Sequence, residues 1–245
     1  MRSIHDQALK IAQVDLPALL LGETGTGKWS VARLIHDLSP RRDGPFQELR
    51  CSDFREDVLE RELFGSIGKD NTGLRHWQLG RLITCRGGTL VLKEITALPW
   101  RLQARLVDVL DSHRLLAVGG YPQTPLDVRI LATTCEDAAE SVASGKLRRD
   151  LYYRLQALTL SIPRLRKPRE EGAALSDHLA LRQSHDRSVP APRKLATLRG
   201  DCLHRPWPGN FREFEDLARR FFALGRRGVA LEHHARERTN GRRCA

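Results

Sequence analysis

The chain has 245 residues, of which 40% are hydrophobic and 29% charged. That is enough for one large domain, or a main domain with a small one, and too apolar for wholesale disorder. The net charge of +11 suits a polyanionic partner such as nucleotide, nucleic acid or an acidic protein surface, although an arginine-rich solvated surface gives the same number. No apolar run reaches the length of a membrane span, and MRSIHDQALK lacks the apolar core of a secretory signal, so a cytoplasmic location without membrane contact is expected.

Five cysteines, Cys51, Cys85, Cys135, Cys202 and Cys244, are dispersed without a CxxC pair. Reduced thiols are expected rather than a disulfide framework. Cys202 with His204, and the pair His233 and His234, do not match zinc spacings, so no metal site is expected there.

In chain order, Ile4, Ala8, Ile11 and Ala12 share one helical face. A short apolar strand at Ala18–Leu21 follows. Val31, Leu34, Ile35 and Leu38 then mark a second helix, stopped by Ser39 and Pro40. Strand-like runs recur at 46–49, 89–92, 128–132 and 158–162. A helix carrying Leu102, Leu106, Val109 and Leu110 on its inner face lies between the second and third of these runs. Strands alternating with helices predict a parallel sheet covered on both faces. After Pro163 the pattern changes to charged, proline-broken sequence with helical segments at 173–182 and 210–224 and a break at 189–192. The expected organisation is an α/β part over 1–165, a small helical part over 166–228 and a basic tail over 229–245.

Two motifs carry chemistry. Gly22, Glu23, Thr24, Gly25, Thr26, Gly27 and Lys28 satisfy GxxxxGK between a strand and a helix. In that setting backbone N–H groups turn inward around phosphates, the helix N-terminus adds its dipole, and the lysine reaches the terminal phosphates. The position after Lys28, usually a hydroxyl for magnesium, is Trp29. The second motif is GGTLVLKEI (87–95), a buried-strand pattern. Such strands in nucleotide-hydrolysing proteins usually end in Asp-Glu, whereas this one ends in Lys93 and Glu94.

With GETGTGK, RELFG (61–65), GGTLVLKEI, VGG (118–120), DVRILATT (127–134), LRRDLYYRL (147–155), IPRLR (162–166) and PWPGNFRE (206–213) in this order, the chain resembles the AAA+ domain of sigma-54-dependent transcriptional activators, the bacterial enhancer-binding proteins. The resemblance implies a P-loop AAA+ fold, a three-layer α/β/α arrangement around a parallel sheet with a small C-terminal helical lid. It also implies ATP binding, self-assembly into a ring or dimer, and contact with an RNA polymerase sigma factor. Carried over by position, Gly22 to Lys28 cradle the phosphates and Glu94 orients the attacking water. Arg148 and Arg154 become arginine fingers reaching a neighbour's site, and Arg212 becomes the lid arginine that senses the γ-phosphate. Guanidinium groups in those places stabilise the charge that phosphoryl transfer spreads over the γ-oxygens.

The departures from the family pattern are specific. Lys93 stands for the metal-binding aspartate, Arg50 for the asparagine that restrains the catalytic glutamate, Cys135 for the sensor asparagine, and Trp29 for a glutamate. The contact loop aligns with 69–74, and its aromatic tip is Asn71. Two unit charges about 4 Å apart at an effective dielectric near 20 interact by roughly 4 kcal/mol, so exchanging an aspartate for a lysine opposes Mg²⁺ strongly. The same ammonium can neutralise nucleotide phosphates without a metal, which makes Lys93 a cofactor-binding residue in this reading. Arg50 is expected to pair with Glu94.

The leading expectation is an ATP-binding transcriptional regulator working as a nucleotide switch with weak or lost hydrolysis. Two alternatives stay open: an active AAA+ ATPase that remodels the sigma-54 holoenzyme, and a regulator that acts through a DNA-binding partner without ATPase work. The segment after Gly209 is too short for the family's helix-turn-helix, so DNA contact is expected only through a missing or separate module.

Overall fold

A computed structural model describes residues 4–69, 75–115, 124–163, 210, 212 and 213. The chain divides into two compact units, residues 1–23 with 28–162, and residues 24–27 with 163–245. The later helical segments, the break at 189–192 and the basic tail lie outside the described residues, except that Asn210, Arg212 and Glu213 are helical.

The first unit runs α1 (Ile4–Ala12), β1 (Ala18–Leu21), α2 (Lys28–Asp37), β2 (Phe46–Arg50), α3 (Glu56–Phe64), β3 (Ser66–Lys69), β4 (Arg75–Gln78), α4 (Arg81–Thr84) and β5 (Thr89–Lys93). It continues with α5 (Trp100–Ser112), β6 (Arg114–Leu115), β7 (Thr124–Pro125), β8 (Arg129–Thr134), α6 (Ala138–Ala143), α7 (Arg149–Leu155) and β9 (Leu158–Ser161). Five strands form one sheet in the order β2-β5-β8-β1-β9, and every pairing in it is parallel. The helices and strands expected before Pro163 are all present, within a residue or two at their ends.

Side chains alternate across a strand, so the register sorts the core into two layers. Leu19, Ala132 and Leu92 stand side by side, as do Ile130 and Leu90. They share one buried cluster with Leu59 and Leu63 of α3, Leu102 and Leu106 of α5, and Leu151 and Leu155 of α7. Ala18, Leu131 and Val91 alternate with them and face the other way. That second layer is closed by Ala8 and Ile11 of α1 and by Val31, Ala32 and Ile35 of α2, all buried. Helices therefore cover both faces of the sheet.

The strand order matters for function. β8 lies between β1 and β5. The carboxyl ends of these three neighbouring strands deliver Gly22, Cys135 and Glu94 to one edge of the sheet, the place where open α/β sheets bind ligands.

Candidate functional site

Gly25 and Gly27 hold φ of 83° and 84°, the left-handed backbone that L side chains resist. These angles let a glycine-rich turn point successive N–H groups inward, as phosphate loops require. The first residue of α2 is Lys28, only 8% exposed. Its ammonium donates to Gly22 O at 2.5 Å and to Glu23 O at 3.0 Å. Burial pushes the Lys28 pKa down, Glu94 opposes that shift, and the neighbouring Lys93 adds to it.

Glu94 follows β5 in a left-handed conformation, φ 54° and ψ 61°, which is uncommon for a residue with a side chain. Its Oε2 accepts the Cys135 N–H at 3.1 Å, and its Oε1 lies 4.0 Å from Lys28 Nζ. The backbone N–H of Glu94 faces Thr133 Oγ1 at 3.4 Å. The ends of β5 and β8 thus hold the carboxylate beside the loop lysine.

Lys93 is directed elsewhere. Its Nζ donates to Glu48 Oε2 of the edge strand β2 at 3.0 Å. The expected Arg50–Glu94 pair is not formed, because Arg50 faces Asp53 at 3.8 Å, three residues ahead on its own segment. The Cys135 amide takes the place Arg50 was expected to fill at Glu94. Trp29 packs edge-on against Phe46, 6.2 Å between ring centroids, and Arg33 and His36 of the same helix also approach that ring. Trp29 and Lys93, the two positions that would serve a magnesium ion, therefore present an indole and a paired ammonium. Neither fits a cation.

Both arginines of the LRRDLYYRL segment have partners within their own chain. Arg148 precedes α7, forms two hydrogen bonds with Asp150 at 2.8 and 3.1 Å, and lies over the Trp100 ring at 5.0 Å. Arg154 pairs with Asp111 at the end of α5. In the second unit the Arg212 N–H donates to Gly25 O at 3.2 Å and Asn210 Nδ2 donates to Thr24 O at 3.1 Å. The contact-loop tip Asn71 lies outside the described residues, on the connection between the antiparallel strands β3 and β4.

Glu48, Asp53, Asp111 and Asp150 are partners that sequence reasoning missed. Only Asp53 and Asp150 are close enough in sequence to their arginines for a local pattern to have found them.

Residues 1–161 match the family model of the Sigma-54 interaction domain. The chain belongs to that family. This sigma-54 interaction domain is 36% identical over 224 residues to the response regulator protein PilR of Pseudomonas aeruginosa, covering 91% of this chain and 50% of PilR. It is 40% identical over 223 residues to the C4-dicarboxylate transport transcriptional regulatory protein DctD of Rhizobium meliloti, covering 91% and 48%. Among solved structures it is similar to NtrX from Brucella abortus, with a TM-score of 0.70 and 29% identity over 91% of this chain and 50% of NtrX. NtrX has also been solved in complex with ADP and with ATP. The chain spans about half the length of these relatives. Among the described residues of the domain, no helix is long and apolar enough to cross a membrane.

Proposed function

We propose that this sigma-54 interaction domain binds ATP or ADP through residues 22–28 as a conformational switch in transcription regulation, with hydrolysis weak or absent. Gly22, Glu23, Thr24, Gly25, Thr26, Gly27 and Lys28 would hold the phosphates, and Arg212 would contact the terminal phosphate from the lid side. The complexes of NtrX with ADP and with ATP support nucleotide binding. The observation that carries the reading is the Lys93–Glu48 ion pair in a chain whose GxxxxGK motif is complete. Lys28 and Glu94 stand 4.0 Å apart, while Lys93, at the strand end that would supply a metal carboxylate, pairs with Glu48. A bound nucleotide would supply the phosphate charge; Lys28 and Lys93 would answer it, without the ordered metal geometry that phosphoryl transfer uses.

The test is a nucleotide titration with and without magnesium, followed by melting temperature. ATP at millimolar concentration is expected to stabilise the protein with little dependence on magnesium, by mass action on the folded state. Lys28→Ala is expected to abolish the stabilisation. A parent protein whose melting temperature never responds to ATP or ADP would remove the reading.

A second reading, an active ATPase, is favoured by one observation. Glu94 keeps an oriented carboxylate 4.0 Å from Lys28. Phosphate release under the same titration separates the two, since a switch of the proposed kind turns over far below an ordinary ATPase.

A further inference from the structure

β2 and β5 are paired with Glu48 opposite Val91 and Arg50 opposite Lys93. Residues 91 and 93 point to the same face of β5, so Glu48 and Lys93 are diagonal neighbours on one face of the sheet. It is the face of Thr89, whose hydroxyl lies 2.9 Å from His36 of α2. The phosphate loop leads directly into that same helix. The Lys93 side chain is 20% exposed and that of Glu48 46%, so the lysine is partly shielded while its acceptor is half exposed.

Lys93 has more than one possible anion. On one side is Glu48. On the other is the loop lysine: Glu94, the next residue in the chain, holds its Oε1 4.0 Å from Lys28 Nζ, and the Lys93 charge adds to the lowering of the Lys28 pKa. A lysine stem has four flexible bonds and a compact, strongly charged end, so its ammonium can swing between acceptors a few ångströms apart. A polyphosphate arriving at Lys28 brings more negative charge than one carboxylate.

From this we infer that Glu48 is a positioning residue of the nucleotide site, an internal acceptor that holds the Lys93 ammonium on the edge strand and competes with bound phosphate for it. The inference rests on the nucleotide-binding reading above and adds to it a residue that sets affinity. In the empty protein the ion pair neutralises a lysine that would otherwise repel Lys28. In the bound protein part of the Lys93 charge transfers to the phosphates, at the expense of the pair with Glu48. Glu48 therefore weakens nucleotide binding while keeping the empty site compatible with two neighbouring ammonium groups.

The experiment measures the affinity of metal-free ADP for the parent chain, Glu48→Gln, Glu48→Asp, Lys93→Met and the double variant Glu48→Gln/Lys93→Met, with the melting temperature of each empty protein as a control for folding. Glu48→Gln keeps the size and removes the charge, and is expected to tighten binding about fivefold, the scale of one partly exposed ion pair. Glu48→Asp keeps the charge and is expected to stay near the parent. Lys93→Met is expected to weaken binding, and in that background Glu48→Gln is expected to change it little, because no ammonium is left to release.

The outcomes separate the two ideas. If parent and variants all fail to bind ADP and ATP at millimolar concentration, the nucleotide reading falls and the role of Glu48 with it. If the parent binds but Glu48→Gln leaves its affinity unchanged, only the Glu48 inference falls. Equal tightening with and without Lys93 would also overturn it, since Glu48 would then act on the phosphates directly as a nearby charge.

Discussion

At the scale of single residues, Cys135 offers a direct probe of the site. It follows β8, its side chain is exposed, and its amide is bound to Glu94. Cys51 and Cys85 are buried, and burial pushes their thiols up to about 12 and about 11 respectively, Glu94 adding to the shift at Cys51. Thiolates react and thiols do not, so these two make internal controls. Alkylation mapped by peptide mass is expected to label Cys135 well ahead of Cys51 and Cys85, and to slow severalfold at Cys135 alone when ADP is present. Equal labelling with and without ADP would place the nucleotide away from the β8 end. His36 supplies a pH response. It is buried against Thr89, and burial, followed by the charge of Arg33, holds its pKa below the usual 6.5. The unfolded chain then binds the proton first as pH falls. Stability is complete above pH 6.5 and is lost between 6.5 and the lower folded value. Denaturant midpoints measured from pH 7.5 to 5 should fall in the parent, and the fall should be shallower in His36→Gln.

At the scale of elements, the two glycines that open β5 do different jobs. A Cβ on Gly88 would stand 1.9 Å from the Pro45 carbonyl oxygen, whereas Gly87 has open space but a φ of 75°. The crossing of the β2 and β5 entries at Pro45 and Gly88 is therefore closed to any side chain. Gly88→Ala is expected to destabilise by about 3 kcal/mol or more, or to prevent folding, and Gly87→Ala by about 1 kcal/mol through backbone strain alone. Comparable denaturant midpoints for the two variants would contradict this. Strands and helices were legible in the sequence wherever an apolar period ran for a full element, as at Ile4, Ala8 and Ile11 or at Thr89 to Leu92. α3 shows in the sequence through the motif RELFG, and Leu59 and Leu63 at i and i+4 carry its helical signal. Pairings between elements were not legible. Glu48 and Lys93 are 45 residues apart and meet only through the β2–β5 register. Arg154 and Asp111 are 43 apart and meet only because α7 packs on α5. Local patterns fix which residues face inward, but they leave open which strand or helix lies alongside.

For the whole molecule, the question is whether this domain can act on its own. Arg148 and Arg154 each hold an acidic partner in the single chain, so reaching a neighbour's nucleotide would require those pairs to open. If the finger assignment is right, light scattering at tens of micromolar protein should show nucleotide-promoted assembly, and Asp150→Ala should favour it by releasing Arg148. A strict monomer under all conditions would remove the assignment. We further expect the unmodified chain to form no open complexes on a sigma-54 promoter. By the family pattern Lys93 stands at the metal-binding strand end and Asn71 at the contact-loop tip, where an amide has far less apolar area to bury than an aromatic ring. Lys93→Asp with Asn71→Phe should do better than either change alone, read as open-complex formation beside phosphate release. Efficient open complexes from the parent would restore the active ATPase reading.

The diagonal pair on β2 and β5 also gives the chain's possible history a direction. Changing Lys93 to aspartate would put a carboxylate diagonal to Glu48 but directly opposite Arg50, so the lost ion pair is offset by a new one. Changing Glu48 first would leave Lys93 opposite Arg50 without the carboxylate it now pairs with. The order of substitution therefore matters: a strand end fit for a metal is reached with less loss when Lys93 changes before Glu48.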